Sequence, residues 1–147
     1  MPTLAEAAGL AESGQGLAVV STLRTDATIQ SSLINAALLD HPATSSPGLA
    51  FVALGPIKLN NLRARPQVAI TFRREWQWAT VEGHAELAGP DDPQWWLTGP
   101  EQLRVLLRQI FTAAGGIHDD WDTYDRVMRE ERRTAVLINP TRIYGRL

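Results

Sequence analysis

The sequence has no cysteine, which removes disulfides, thiolate catalysis, zinc–thiolate centres and iron–sulfur clusters from consideration. No apolar run approaches the roughly 20 residues that a membrane-spanning helix needs. The first residues, Met1 to Gly14, carry Glu6 and Glu12 and no basic segment of the kind that opens a secretory signal. A cytoplasmic protein without a membrane span is expected. Surplus charge is also missing: 14 Lys and Arg against 16 Asp and Glu leave a net charge of -2. Nucleic-acid binding needs a broad basic surface and is disfavoured. There is no GxGxxG after a strand, no P-loop, no HExxH and no GxSxG elbow. His41, His84 and His118 lie far apart without metal-ligand spacing, so loop or surface roles are expected and no metal.

What is present is a globular composition, 44% apolar and 20% charged over 147 residues, enough for one domain over residues 1–147 with its own core. Thr3 and Glu6 have capping-box spacing and open a short helix that Ser13 to Gly16 ends. Leu17 to Leu23 and Ala27 to Leu39 are apolar, β-branched runs flanking an Arg24-Thr25-Asp26 turn, which predicts a hairpin. A loop rich in Pro, Ser and Gly follows from His41 to Gly48, then a third strand from Leu49 to Leu54. Lys58 to Ala64 reads as a helical turn, halted at Arg65 because the residue before Pro66 avoids the α region. Gln67 to Arg73 and Glu75 to Leu87 are successive strands, with Gly83 marking a bulge or bend.

Thr98-Gly99-Pro100-Glu101 combines a capping box with Pro in the first turn, and Leu103, Leu106, Leu107, Ile110 and Ala114 give the helix after it one apolar face. A second helix starts near Asp119 or Asp120, and Thr134 to Ile138 is the last strand. Six strands, mostly joined by short turns, with no βαβ alternation, predict an α+β, mainly β protein built on a small antiparallel barrel.

Charge and aromatics concentrate between Lys58 and Leu87. Lys58 to Arg74 holds five basic side chains (Lys58, Arg63, Arg65, Arg73, Arg74) and no acidic one, which points to a docked anion. A phosphate needs donors from several directions, and Lys58, the Asn61 amide and the N–H groups of a helix start offer them. A solvated turn is the plain alternative. Trp76, Trp78 and Thr80 fall on one face of a strand, with the smaller Gln77, Ala79 and Val81 on the other. The two rings form either core or the wall of a planar ligand's site. Trp95 and Trp96 anchor the helical insertion or a partner subunit. In the second strand Gln30, Ser31, Ser32 and Asn35 need hydrogen bonds if buried, from a ligand or from neighbours. No acid, base or nucleophile constellation stands out.

In order, K-L-N-N-L-R-A-R-P (Lys58 to Pro66), W-Q-W-A-T-V-E-G-H-A-E-L (Trp76 to Leu87), D-W-D-T-Y-D-R-V-M-R-E-E-R-R (Asp120 to Arg133) and I-Y-G (Ile143 to Gly145) resemble the split-barrel flavin/deazaflavin-binding family. That superfamily includes pyridoxamine 5'-phosphate oxidase, and the chain is most similar to its actinobacterial branch that uses coenzyme F420. The resemblance covers nearly the whole chain. It implies a six-stranded antiparallel split β-barrel with peripheral helices, homodimeric, with cofactor sites at the subunit interface. It places Lys58 on the cofactor phosphate, with Asn61 beside it; Arg63 is a candidate of the same turn by its chemistry, and at Asn60 the chain departs from relatives, which often have arginine there. Gln30, Ser31 and Ser32 would face ring or phosphate, and Trp76 and Trp78 match aromatic positions near the cofactor.

The activity implied is an F420H2-dependent oxidoreductase passing hydride to an electron-poor small molecule such as an enone, quinone or tetrapyrrole. F420 bears a phosphodiester and an oligoglutamate tail where FMN has one phosphate, so the local basic surplus favours F420. An FMN-dependent oxidase or reductase of the same fold is one alternative, and a non-catalytic F420- or flavin-binding protein is another. The substrate-binding residues of pyridoxamine-phosphate oxidation are not matched. Hydride chemistry supplied by a cofactor fits a chain without an evident catalytic constellation.

Overall fold

The computed structural model describes residues 1–147. Seven strands make one antiparallel sheet: β1 (Leu17–Leu23), β2 (Ile29–Asn35), β3 (Ala37–Leu38), β4 (Leu49–Ala53), β5 (Gln67–Arg74), β6 (Gln77–Ala88) and β7 (Thr134–Arg146). The helices are α1 (Leu4–Gly9), α2 (Pro56–Ala64), α3 (Pro100–Ala113) and α4 (Trp121–Glu130). Across the sheet the order is β2-β1-β5-β6-β7-β4-β3. The two outermost strands, β2 and β3, are separated in the chain by Ala36 alone. Two consecutive Cα steps reach no more than about 7 Å, so the sheet edges must meet and the sheet must curl into a barrel. The fold is the expected α+β, mainly β split barrel, with seven strands in place of six.

The added strand comes from the run expected as one strand, Ala27 to Leu39, which changes partner at Ala36. Before it, β2 pairs with β1; after it, β3 pairs with β4. Ala36 is buried, and its N–H donates to the carbonyl of Gly16 at 2.8 Å. Gly16 has φ +74°, and a Cβ there would run into the Ala36 carbonyl oxygen. The corner therefore needs glycine on one side and a small residue on the other.

The last strand is also longer than expected, because Asn139-Pro140 does not end it. β6 and β7 pair along their lengths, with a register shift between Glu82 and Gly83. Thr141 is the extra residue opposite that shift, and its hydroxyl donates to the Glu82 carbonyl at 3.3 Å. Pro140 lacks a ladder N–H and sits at this irregularity, where the loss is tolerated. The bulge expected at Gly83 is there.

Two cores result. Inside the barrel, Val20, Phe51, Ile70, Phe72, Ala79, Val81 and Val136 are fully buried, each larger side chain contributing about 1.5–3 kcal/mol by leaving water. Outside, α3 lays Leu106, Leu107 and Ile110 on a patch of Ala37, Ala50, Ala88, Ala135 and Leu137. Alanines there leave room for the helix to approach. α4 is tied to α3 by the Asp125 carboxylate, which accepts from Arg108 Nε at 2.9 Å, and by the Tyr124 hydroxyl, which donates to the Leu107 carbonyl at 3.1 Å.

Helix ends follow local chemistry with one exception. The Thr3/Glu6 capping box forms in both directions, at 3.0 and 3.1 Å, Arg65 turns extended before Pro66, and Asp120 caps α4. α2 begins at Pro56, earlier than expected. The capping box expected at Thr98/Glu101 does not form. Gly99 is the cap residue at φ +104°, Glu101 pairs with Arg104, and the Thr98 N–H donates to Gln102 Oε1 at 2.7 Å. No helix is long and apolar enough to cross a membrane.

Gly16→Ala forces a left-handed residue and a backbone collision at the corner that closes the barrel. Loss of about 2–4 kcal/mol is expected, read as a lower urea midpoint, while Gly14→Ala, with open space around the added methyl, leaves the midpoint nearly unchanged.

Candidate functional site

Ala53, the last residue of β4, pairs with Thr134, the first of β7. The start of α2 and the α4–β7 turn therefore share one corner of the barrel. Lys58, in the first turn of α2, is the only lysine of the chain. It is partly buried and enters no ion pair. Its ammonium is held below the ordinary lysine range, first by burial and then by the positive charge of Arg133. Arg133 sits on the turn between α4 and β7. Its Nη2 meets the Glu131 carboxylate at 3.3 and 3.4 Å, while its Nε is buried without an acceptor.

The other residues expected at this corner are engaged elsewhere. Asn61 is buried and structural: its Nδ2 donates to Thr22 Oγ1 at 3.0 Å, and Thr22 in turn donates to Gln30 Oε1 at 3.2 Å. Arg63 grips Asp92 through Nε at 2.8 Å and Nη2 at 2.6 Å, and donates to Asn60 Oδ1 at 2.9 Å. Arg65 Nε donates to the Leu23 carbonyl at 2.9 Å, and Arg73 Nε to the Glu75 carbonyl at 2.9 Å. The run of basic residues thus disperses on folding, and two of its cations are left without a partner, Lys58 at the α2 corner and the exposed Arg74 at the end of β5.

Along β2 the polar residues alternate. Gln30 and Ser32 turn to the covered side, where Ser32 Oγ is buried without a partner. Ser31 faces outward and shares a 2.9 Å hydrogen bond with Ser21. The three cannot face one ligand together.

The tryptophans are not core. Trp76 occupies the β5–β6 turn at 94% exposure and lies off the strand, so it does not share a strand face with Trp78. Trp78 is on the outer face, edge-on to Tyr144 with centroids 6.1 Å apart. Ala79 and Val81 do pack inward, as expected. The Tyr144 hydroxyl donates to Glu82 Oε2 at 2.6 Å, and that carboxylate holds the phenol above its ordinary range, so Tyr144 keeps its proton through neutral pH. Trp78 stands at one end of β6 and Ala88, near the Lys58 corner, at the other. β6 has 12 residues, roughly 40 Å of strand.

Of the two tryptophans expected to anchor the insertion or a partner subunit, Trp96 anchors the insertion, whereas Trp95 is exposed. The Trp96 indole N–H donates to Glu86 Oε1 at 2.8 Å, and its ring meets His41 edge-on. His41 Nε2 lies 3.1 Å from Glu86 Oε2, and its Nδ1 accepts the N–H groups of Ala43 and Thr44, so this cluster fastens the loop before β4. Reading by residue type missed Arg133 and Tyr144 as site candidates. The only signals were their places in the C-terminal motifs.

No protein-family model matches the chain. Among solved structures, a conserved hypothetical protein from Mycobacterium tuberculosis superposes with a TM-score of 0.67 at 18% identity, over 99% of this chain and 85% of its own. An F420 reductase does so with a TM-score of 0.60 at 18% identity, over 98% of both chains. A pyridoxamine 5'-phosphate oxidase-related, FMN-binding protein from Nostoc punctiforme gives 0.63 at 12% identity, over 97% and 81%. At these identities the likeness is one of fold. The chain has a split-barrel fold, one that a pyridoxamine 5'-phosphate oxidase-related, FMN-binding protein and an F420 reductase also adopt.

Asn61→Ala leaves the buried Thr22 hydroxyl without a donor. A loss of about 1–3 kcal/mol in unfolding free energy is expected, measured by denaturant titration.

Proposed function

We propose that residues 1–147 form one cofactor-binding domain of an F420H2-dependent oxidoreductase, a cytoplasmic homodimer that delivers hydride to an electron-poor small molecule such as an enone or quinone. The observation that carries this reading is Lys58: the sole lysine, partly buried in the first turn of α2, with another cation rather than a carboxylate for a neighbour. An anionic group fits such a corner, since it supplies the counter-charge that the chain withholds. The shared fold with an F420 reductase, matched over 98% of both chains, supports the choice of cofactor.

When bound, the deazaflavin supplies the hydride. The protein's share is to bind, orient and shield. Lys58 and the open N–H groups of the α2 start hold the phosphate. Tyr144, kept protonated by Glu82, offers a hydroxyl on the open sheet face beside Trp78.

A homodimer is supported by the outer face of β1 and β2. Leu17, Val19, Ile29 and Leu33 are exposed there around the Ser21–Ser31 pair, an apolar patch of the kind that marks an interface. That face runs as far as Arg133, because Asn35, two places beyond Leu33 on the same side of β2, lines a cavity with it. One chain keeps Trp78 far from Lys58, and a second copy on this face gives the corner a second wall.

The FMN reading draws on a separate observation: Arg63 and Arg65 are engaged within the protein, leaving a corner sized for one phosphate instead of a basic groove.

Titration of the purified protein with F420 and with FMN, followed by ligand fluorescence, is expected to show F420 binding at least about tenfold tighter, and Lys58→Ala weakening it about tenfold or more. Tighter FMN binding shifts the reading to FMN, and binding of neither overturns it. Sedimentation is expected to show a dimer that Leu33→Glu, an exposed change, converts to monomer.

A further inference from the structure

We propose that the outer face of β6 carries a second ligand site, a tryptophan-walled cavity built on Glu86 that takes a small organic ammonium ion. The cavity shares no residue with α2 or with the cavity beside Arg133. It is independent of the reading of Lys58.

This cavity measures about 360 Å³, within the roughly 300–1,000 Å³ of sites that enclose small molecules. Three segments wall it. From β6 come His84 and Glu86, opposite Asn139 and Leu137 of β7. The loop before β4 contributes His41, and at its end Gly48 lies so close to β7 that a Cβ there would meet the Ile138 carbonyl oxygen. The segment between β6 and α3 contributes Trp95 and Trp96.

Each wall is held in place by the chain itself. The Leu97 N–H donates to the Gln94 carbonyl at 3.1 Å, which makes Trp95 and Trp96 the central pair of a tight turn. Gln94 Nε2 fastens that turn to the Leu87 carbonyl at 2.8 Å. The loop of His41 closes through the His41 N–H to the Ser46 carbonyl and the Ser45 N–H to the His41 carbonyl, both at 2.8 Å. A site already in place gives up little freedom when it is filled.

Charge decides what enters. Glu86 is the one carboxylate of the lining, and no lysine or arginine stands with it. Its oxygens meet one donor each, the Trp96 indole N–H at 2.8 Å and His41 Nε2 at 3.1 Å. His41 Nδ1 accepts the N–H groups of Ala43 and Thr44, so the ring holds its proton on Nε2 and gives Glu86 a hydrogen bond without a positive charge. The other histidine, His84, is exposed and is not bonded to Glu86. The carboxylate is therefore oriented but not neutralised. Its side chain is 39% exposed, and each oxygen can accept from a further donor. An ammonium ion supplies both the donors and the missing charge. The face of an indole attracts a cation as well, and Trp95 offers one at 82% exposure. Anions, phosphate esters among them, meet a like charge here, and no three metal-ligating side chains come together to hold a metal ion.

The test titrates the full chain with benzylammonium, its neutral analogue benzyl alcohol and the anion benzoate, following the indole N–H resonances in 15N spectra. Benzylammonium is expected to shift the Trp96 resonance, identified as the one lost in Trp96→Phe, and to bind at least about tenfold tighter than benzyl alcohol, while benzoate leaves the spectrum unchanged. Trp95→Ala, an exposed change, is expected to weaken benzylammonium about fivefold or more at an unchanged thermal midpoint. Glu86→Gln is expected to remove the preference for the cation. A Trp96 resonance unmoved by benzylammonium, or equal binding of benzylammonium and benzyl alcohol, overturns the proposal, and the comparison of probes decides it even where Glu86→Gln does not fold. Should Trp95→Ala leave the affinity unchanged and split a dimer in sedimentation, Trp95 serves a subunit contact and the site falls. F420 and FMN do not enter the measurement, so their failure to bind bears on the cofactor reading alone.

Discussion

The barrel depends on one covalent constraint: β2 and β3 stand at opposite edges of the sheet but are separated by a single residue, Ala36. A flat seven-stranded sheet would hold its edges roughly 29 Å apart at the usual strand spacing, a distance that this link cannot bridge. Curling is therefore dictated by connectivity, and side-chain packing selects how it is achieved. The Gly16–Ala36 contact lets the two backbones pass at the corner. The bulge opposite Gly83 lets the long β6–β7 pair bend around the interior that Phe51, Phe72 and Val81 fill.

Closure also divides the outer surface. Where β3, β4 and the adjoining ends of β6 and β7 are lined with alanines, α3 covers the sheet. Where β1 and β2 carry Leu17, Val19, Ile29 and Leu33, no helix of the chain covers it. The small side chains on one half and the larger ones on the other are thus two surfaces made for different neighbours.

The parts of the fold legible in the sequence were those decided locally. Thr3 and Glu6 are three residues apart, Pro66 acts on the residue before it, and a glycine in a long strand marks its own bulge. The split at Ala36 was hidden because Ile34, Ala36 and Ala37 are all buried and apolar, so the run shows no break where the partner strand changes. The Thr98 capping box failed for a similar reason. Gly99 took the cap position with a backbone conformation that residue types alone do not announce.

The site was legible as a single residue more than as a constellation. Lys58 stood out by chemistry, but charge counted along a chain does not say which charges are already matched. Folding carried Asp92 to Arg63, the Leu23 carbonyl to Arg65 and the Thr22 hydroxyl to Asn61. The stretch that looked most like a basic patch became largely scaffold. Arg133 was hidden from the opposite direction. It closed an ordinary charged helix end in sequence, and its unmet Nε appears only once β7 pairs with β4.

Proximity in sequence misled most where the chain is extended. Lys58 and Trp78 read as halves of one site because a turn and a strand adjoin, yet the chain travels out along β5 to the turn at Trp76 before β6 returns to the Lys58 end of the barrel. At roughly 3.3 Å per residue, the eight residues of β5 outdistance any side chain. Lys58 therefore shares its end of the barrel with the α4–β7 turn, whose Arg133 lines a cavity with Asn35 on the outward side of β2. That last surface is the one left apolar and uncovered. Under the proposed function, cofactor binding and self-association would draw on one continuous region of this barrel, and a change at Leu33 or Asn35 would act on both.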